Sequence, residues 1–159
     1  MANIVYRKGI EKIAKGDIRL NYDTLKIMLV NNSYTVDASH EFVDEAGETD
    51  PKANEIEADN YTKGFGGAGR KTVTGLSFTF NTSTTSLDVS FANLTWSSLG
   101  GIVIGHDTVA GAILIKENTS DTDSDLIAYF DLTDTLTDGT DFIINFSSVN
   151  NLSFSTTEP

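Results

Sequence analysis

Four groups of residues have types and spacings that could do chemistry. Gly64-Phe65-Gly66-Gly67-Ala68-Gly69 satisfies G-x-G-x-x-G. In a dinucleotide site such a run follows a strand and opens a helix, so that backbone N–H groups and the helix dipole meet a pyrophosphate. Here a polar stretch precedes it and the strand-like Arg70-Lys71-Thr72-Val73 follows. Without the helix the motif loses its physical basis, and the run predicts a turn entering a strand. Asp121-Thr122-Asp123-Ser124-Asp125 matches the opening of an EF-hand loop, but Leu126 and Leu132 stand where that loop needs Gly and Glu. An EF-hand is excluded; a solvated acidic turn or a weak divalent site of loop carboxylates is left. His40 and His106 are the only histidines, and neither has ligand-spaced neighbours. No G-x-S-x-G elbow is present to turn the many Ser and Asp residues into a triad. Trp96 ends an alternating run and reads as a core anchor, with a binding-site aromatic as the alternative. The prediction is a non-enzymatic chain with no catalytic residues, no cofactor and no metal site.

The elements that would position these residues are mostly strands. Tyr6, Ile10, Ile13 and Ala14 recur at helical spacing, and Glu11 and Lys15 form an i,i+4 pair. Lys12 and Lys15 suit the negative end of the helix dipole, and Gly16 suits a left-handed cap. Residues 18–30 read as strand, with a turn near Asn21-Tyr22-Asp23. Residues 31–69 are long and polar, with nine acidic residues and one Lys between Asp37 and Asp59. They predict a surface excursion with a short helix near Ser39 to Glu45. Leu76, Phe78 and Phe80 then alternate with polar residues, as do Leu87, Val89 and Phe91, which predicts a hairpin with one buried face. The runs Gly101 to Gly105 and Ala112 to Ile115 are continuously apolar, as in strands buried on both sides or at an interface. Strands follow at Leu126 to Asp131, Asp141 to Phe146, and Leu152 to Phe154. The fold class is therefore mainly β, a β-sandwich or jelly-roll-like single domain with a short N-terminal helix and a long acidic loop. Residues 1–16 form a helical arm and 17–159 the β-sandwich body.

Composition narrows the function. The chain has 159 residues and no Cys, so it builds its core without disulfides. Residues 1–20 hold five basic groups against two acidic ones, whereas the remainder holds six basic against twenty-one acidic. An acidic body repels phosphate backbones, so nucleic acid is not an expected partner. No apolar run approaches the roughly 20 residues of a membrane span, and the start lacks the apolar core of a signal peptide. The expected place of synthesis is a cytoplasm. The charge split predicts that the helical end meets a different surface from the rest, with Arg7, Lys8, Lys12, Lys15 and Arg19 as docking residues.

One series of segments carries a resemblance. Lys15-Gly16-Asp17 ends the helix. Asp23 to Leu29, Ser33 to Asp37, Asn54-Glu55-Ile56, Tyr61 to Gly67, Lys71 to Thr74, Leu94-Thr95-Trp96 and Leu126 to Asp131 follow in order. Together they resemble a family of small virion structural proteins encoded among the head and neck genes of tailed bacteriophages, over most of the chain. The acidic stretch around Glu41 to Asp59 and the polar tail Ser153 to Pro159 depart from it. The resemblance implies a capsid decoration (cement) protein on the outer head surface, made in the host cytoplasm and located in the virion. It implies a homo-oligomer that contacts the major capsid protein or another virion protein. A neck or tail component is the alternative, and a carbohydrate-binding β-module a more distant one.

Overall fold

The computed structural model describes residues 3–45, 47, 49–101, 108–146 and 152–155. Of the apolar run at Gly101 to Gly105 only Gly101 lies among them, and His106 lies outside. The chain opens with β1 (Ile4–Val5), α1 (Arg7–Lys15) and β2 (Leu25–Asn31). Two short strands follow, β3 (Ala58–Asp59) and β4 (Lys71–Thr72), then the hairpin β5 (Ser77–Asn81) and β6 (Ser86–Ser90). The remaining strands are β7 (Leu94–Gly101), β8 (Thr108–Lys116), β9 (Asp125–Leu136), β10 (Asp138–Ile144) and β11 (Leu152–Ser155). They form three antiparallel sheets, with orders β1-β9-β8-β2-β4, β10-β7-β3 and β11-β6-β5.

Both faces of the five-stranded sheet are covered. Leu25, Ile27 and Leu29 of β2, with Ala112 and Leu114 of β8, face a core shared with Trp96, Leu99 and Ile144 of the second sheet and Val89 and Leu152 of the third. Met28 and Val30 of β2, with Ile113 and Ile115 of β8, face a second core closed by Tyr6, Tyr34 and Val43. Two covered faces explain why β2 and β8 are continuously apolar rather than alternating. Edge-to-face contacts among Phe91, Phe130 and Phe146 fill the first core.

The long acidic loop supplies the second cover. It lies over the sheet instead of running out into solvent, with Tyr34 and Val43 buried and the Tyr6 and Tyr34 hydroxyls 2.7 Å apart. No helix forms at Ser39 to Glu45. The Glu45 carboxylate accepts the Glu41 and Phe42 N–H groups (both 2.8 Å), and Asp50 accepts those of Glu45 and Lys52 (3.2 and 3.0 Å). The N–H groups that a helix there would turn back on itself go elsewhere, those of Val43 and Asp44 to the connection before β9 and that of Glu45 to Asp50. Backbone bonds from Val43 to Ser124, Asp44 to Asp121 and Leu126 to Glu41 stitch the loop to the start of β9 (all 3.0 Å).

The helix docks on the body. Gly16 closes it at φ 82°, as its position predicts. Residues 18–24 turn, and the strand begins only at Leu25. The face against the sheet centres on Tyr6, Gly9 and Ile13, whereas Ile10 is exposed. Gly9 permits this approach, because a Cβ there would sit 2.6 Å from the Leu126 carbonyl oxygen. We predict that Gly9→Ala lowers unfolding free energy by about 1–3 kcal/mol through overpacking, although Ala is the better helix former by about 1 kcal/mol. Chemical denaturation checks this; an unchanged or raised midpoint would mean that the helix rides free of the sheet.

Candidate functional site

The strongest electrostatic feature is buried. Arg70 follows the glycine run and its side chain has no solvent exposure. Its Nε and Nη2 donate to the two Glu55 oxygens (2.9 and 2.7 Å). Nη1 and Nη2 donate to Asp121 (2.5 and 3.3 Å), and Nη1 also reaches Glu117 (3.2 Å). All five guanidinium donors are therefore used. Glu55 further accepts the Tyr61 hydroxyl and the Gly64 N–H (both 3.0 Å), and the Tyr61 oxygen accepts the Leu29 N–H of β2 (3.0 Å). Glu117 accepts Lys26 Nζ at 2.5 Å. One cation thus joins the acidic loop, the glycine turn, β2 and the segment between β8 and β9.

The glycine run is a turn into β4, and it is packed rather than open. A Cβ at Gly69 would lie 2.6 Å from the Tyr61 ring, and the Gly69 carbonyl accepts the Trp96 indole N–H at 2.7 Å. Trp96 is a buried core anchor, as the strand pattern predicts. The Asp121, Asp123 and Asp125 carboxylates diverge. Asp121 serves Arg70, Asp123 accepts the Thr119 and Ser120 N–H groups (3.0 and 2.7 Å), and Asp125 meets Lys12 (2.5 Å). Among the described residues no three His, Asp or Glu side chains converge as metal ligands. His40 lies near Thr49 and Asp37 in the acidic loop.

The five basic residues of the helical end have separate placements. Lys12 points inward to Glu41 (2.7 Å) and Asp125, with its ammonium 4.5 Å from the Phe42 ring centroid, and so pins the helix to the loop. Lys8 and Lys15 share Glu11 (2.9 and 2.5 Å), and their hydrogen bonds hold that exposed carboxyl at about 2. Arg7 is exposed and has no ion pair among the described residues. Arg19 lies over Tyr22 and approaches Asp23 at 3.7 Å.

Arg19 also borders an open apolar cleft. The β5–β6 hairpin forms as its alternation predicts, with Phe78 opposite Val89 and Phe80 opposite Leu87. Its apolar face is buried only at one end. Val89 and Leu152 enter the core, whereas Phe78, Phe80 and Leu87 project past it and are exposed. Between this overhang and the turn at residues 16–22 lies an open cleft of about 530 Å³, lined by Ile18, Leu20, Tyr22, Phe78, Leu87 and Phe154 among others. Arg19 is its only charged lining residue. Alternation shows that Phe78 and Phe80 share a face; it does not show that the other sheets stop short of them.

No protein-family model, curated protein or solved structure matches the chain.

Removing Arg70 would leave Glu55 and Asp121 buried with an uncompensated charge. Arg70→Met should cost about 3–5 kcal/mol, and Arg70→Lys should recover little, since an ammonium cannot span two carboxylates with a planar fork. Urea titration reads both. Burial raises the Glu117 carboxyl, but hydrogen bonds from Lys26 and Arg70 outweigh it and hold the group below the ordinary glutamate range. Such a group adds stability above its unfolded pKa and loses it as pH falls through the folded value. Glu117→Gln should therefore flatten the acid limb of the stability–pH curve; an acid limb as steep as the parent's would remove Glu117 from that role.

Proposed function

We propose that this chain is a structural protein of a bacteriophage virion, and within it a decoration protein on the outer face of the head. The observation that carries this reading is the overhanging apolar ledge of Phe78, Phe80 and Leu87, left open beside the basic end of an acidic chain. Exposed apolar surface of this kind supports a docking role. The series of segments from Lys15-Gly16-Asp17 to Leu126–Asp131 supports the virion assignment by resemblance. The acidic body supports an outer position, since it would repel packaged DNA. The partners are other copies of the chain and the major capsid protein or another virion protein, with assembly from subunits made in the host cytoplasm. A neck or tail position is the second reading, favoured by the same exposed ledge in a ring of subunits. A carbohydrate-binding role loses its aromatic platform, because Trp96 is buried under the glycine turn.

Quantitative mass spectrometry and cryo-electron microscopy of the phage that carries this gene test the assignment. Copies that match the lattice of the head shell, with density on its outer face, are the expected result. A single small ring's worth of copies would move the protein to the neck or tail. Absence from purified virions would sink both.

A further inference from the structure

The chain carries a second exposed apolar site of opposite electrostatic character. At the far end of β9 and the start of β10, Leu136 and Ile143 are 61% and 58% exposed. The segment from Asp131 to Asp141 holds four Asp residues and no Lys or Arg. Asp134, Asp138 and Asp141 have no cationic partner among the described residues. A groove of about 360 Å³ runs between β9 and β10 here, lined by Leu132, Phe142 and Ile143 among others. The cleft beside Arg19 is its complement: apolar, with one cation and no anion in its lining.

The two sites lie towards opposite ends of β9. The helix and the turn at residues 17–23 sit at the start of β9, where Tyr6 N–H binds the Ile127 carbonyl (3.0 Å) and Lys116 meets Asp23 (3.0 Å). Leu136 is the other end of the same strand. At about 3.3 Å per residue the separation along β9 is roughly 30 Å. A copy therefore cannot satisfy its own cleft, and a contact of cleft with cleft or of corner with corner would bring like surfaces together.

We propose that copies of this chain associate head to tail: the cleft between the residue 16–22 turn and the β5–β6 overhang takes the acidic, apolar-tipped β9–β10 corner of the next copy. The contact buries Leu136 and Ile143 against Phe78, Phe80 and Tyr22, and sets Arg19 among the corner's aspartates. Such an interface is heterologous, so it builds a closed ring or an open string according to the rotation between copies. The proposal rests on the assembly reading only in taking another copy as the occupant, and it needs no virion.

Purified full-length protein tests it by sedimentation velocity over a concentration series at low salt. Phe80→Asp sets a charge on the overhang beside the cleft, where the corner would pack, and leaves the corner intact; Ile143→Asp charges the corner and leaves the cleft side intact. Both residues are mostly exposed, so each variant should keep the parent's thermal unfolding midpoint. The parent should form oligomers, each variant alone should be monomeric, and an equimolar mixture should form a 1:1 complex that grows no further. Asp134→Lys should weaken parent self-association about tenfold or more, and adding Arg19→Glu should restore it. A parent that stays monomeric, a variant that assembles alone, or a mixture that stays monomeric overturns the proposal. Protein that self-associates as described but is missing from virions would overturn the virion reading and leave this one standing.

Discussion

The guanidinium of Arg70 is the constraint on which the rest of the architecture hangs. The five-stranded sheet is apolar on both faces, so both must be covered. One cover is made by two other sheets. The other is a long acidic loop with few apolar residues, and Tyr34, Val36 and Val43 give it little reason to lie flat. Arg70 converts that loop's charge from a liability into an attachment. Glu55 brings in the loop, Asp121 and Glu117 bring in the connection between β8 and β9, and Tyr61 passes the contact to β2. Desolvating these groups is costly, and the network repays it only because every guanidinium donor has a partner. Its main yield is specificity of placement: the planar fork fits one arrangement of the two buried carboxylates.

Much of the β framework is readable from local patterning. Alternation in the β5–β6 hairpin and continuous apolar runs in β2 and β8 follow from which faces are covered, and each has its own sequence period. The break between β9 and β10 is the single residue Thr137, shorter than the polar run around it suggests, because β9 continues to Leu136 with polar, exposed residues. The helix at Ser39 to Glu45 fails because the Val43 and Asp44 N–H groups bond the Ser124 and Asp121 carbonyls and that of Glu45 bonds Asp50, a tertiary outcome that local sequence does not show. The Arg70 cluster is hidden by sequence distance, with Glu55, Glu117 and Asp121 far from it along the chain. One signal was present: Arg70 is the only Arg outside the first twenty residues of an otherwise acidic chain. An isolated Arg just after a tight glycine turn is badly placed for solvent and well placed for a buried carboxylate pair.

The basic residues of the helical end illustrate how charge counting and charge geometry differ. Five cations at one terminus suggest a patch, yet Lys12 is spent on holding the helix to the loop, and Lys8 and Lys15 are tied to Glu11. What the segment offers a partner is narrower: Arg19 on the lip of an apolar cleft and Arg7 at the helix start. Apolar area then supplies most of the attraction, and the cation selects the orientation.

That division has a consequence for assembly of so acidic a chain. Copies with a large net negative charge repel one another at a distance, and the repulsion falls away over about 10 Å in 0.1 M salt. A contact that paired two acidic corners would concentrate the repulsion at the interface. One that paired two clefts would leave the acidic corners exposed and set Arg19 against Arg19. Joining a cleft to a corner is the arrangement in which the apolar gain and the local electrostatics have the same sign. The Arg70 network and the close Gly9 contact then matter beyond stability, because they hold the cleft and the corner at opposite ends of one strand and so would set the angle between copies in the proposed head-to-tail contact.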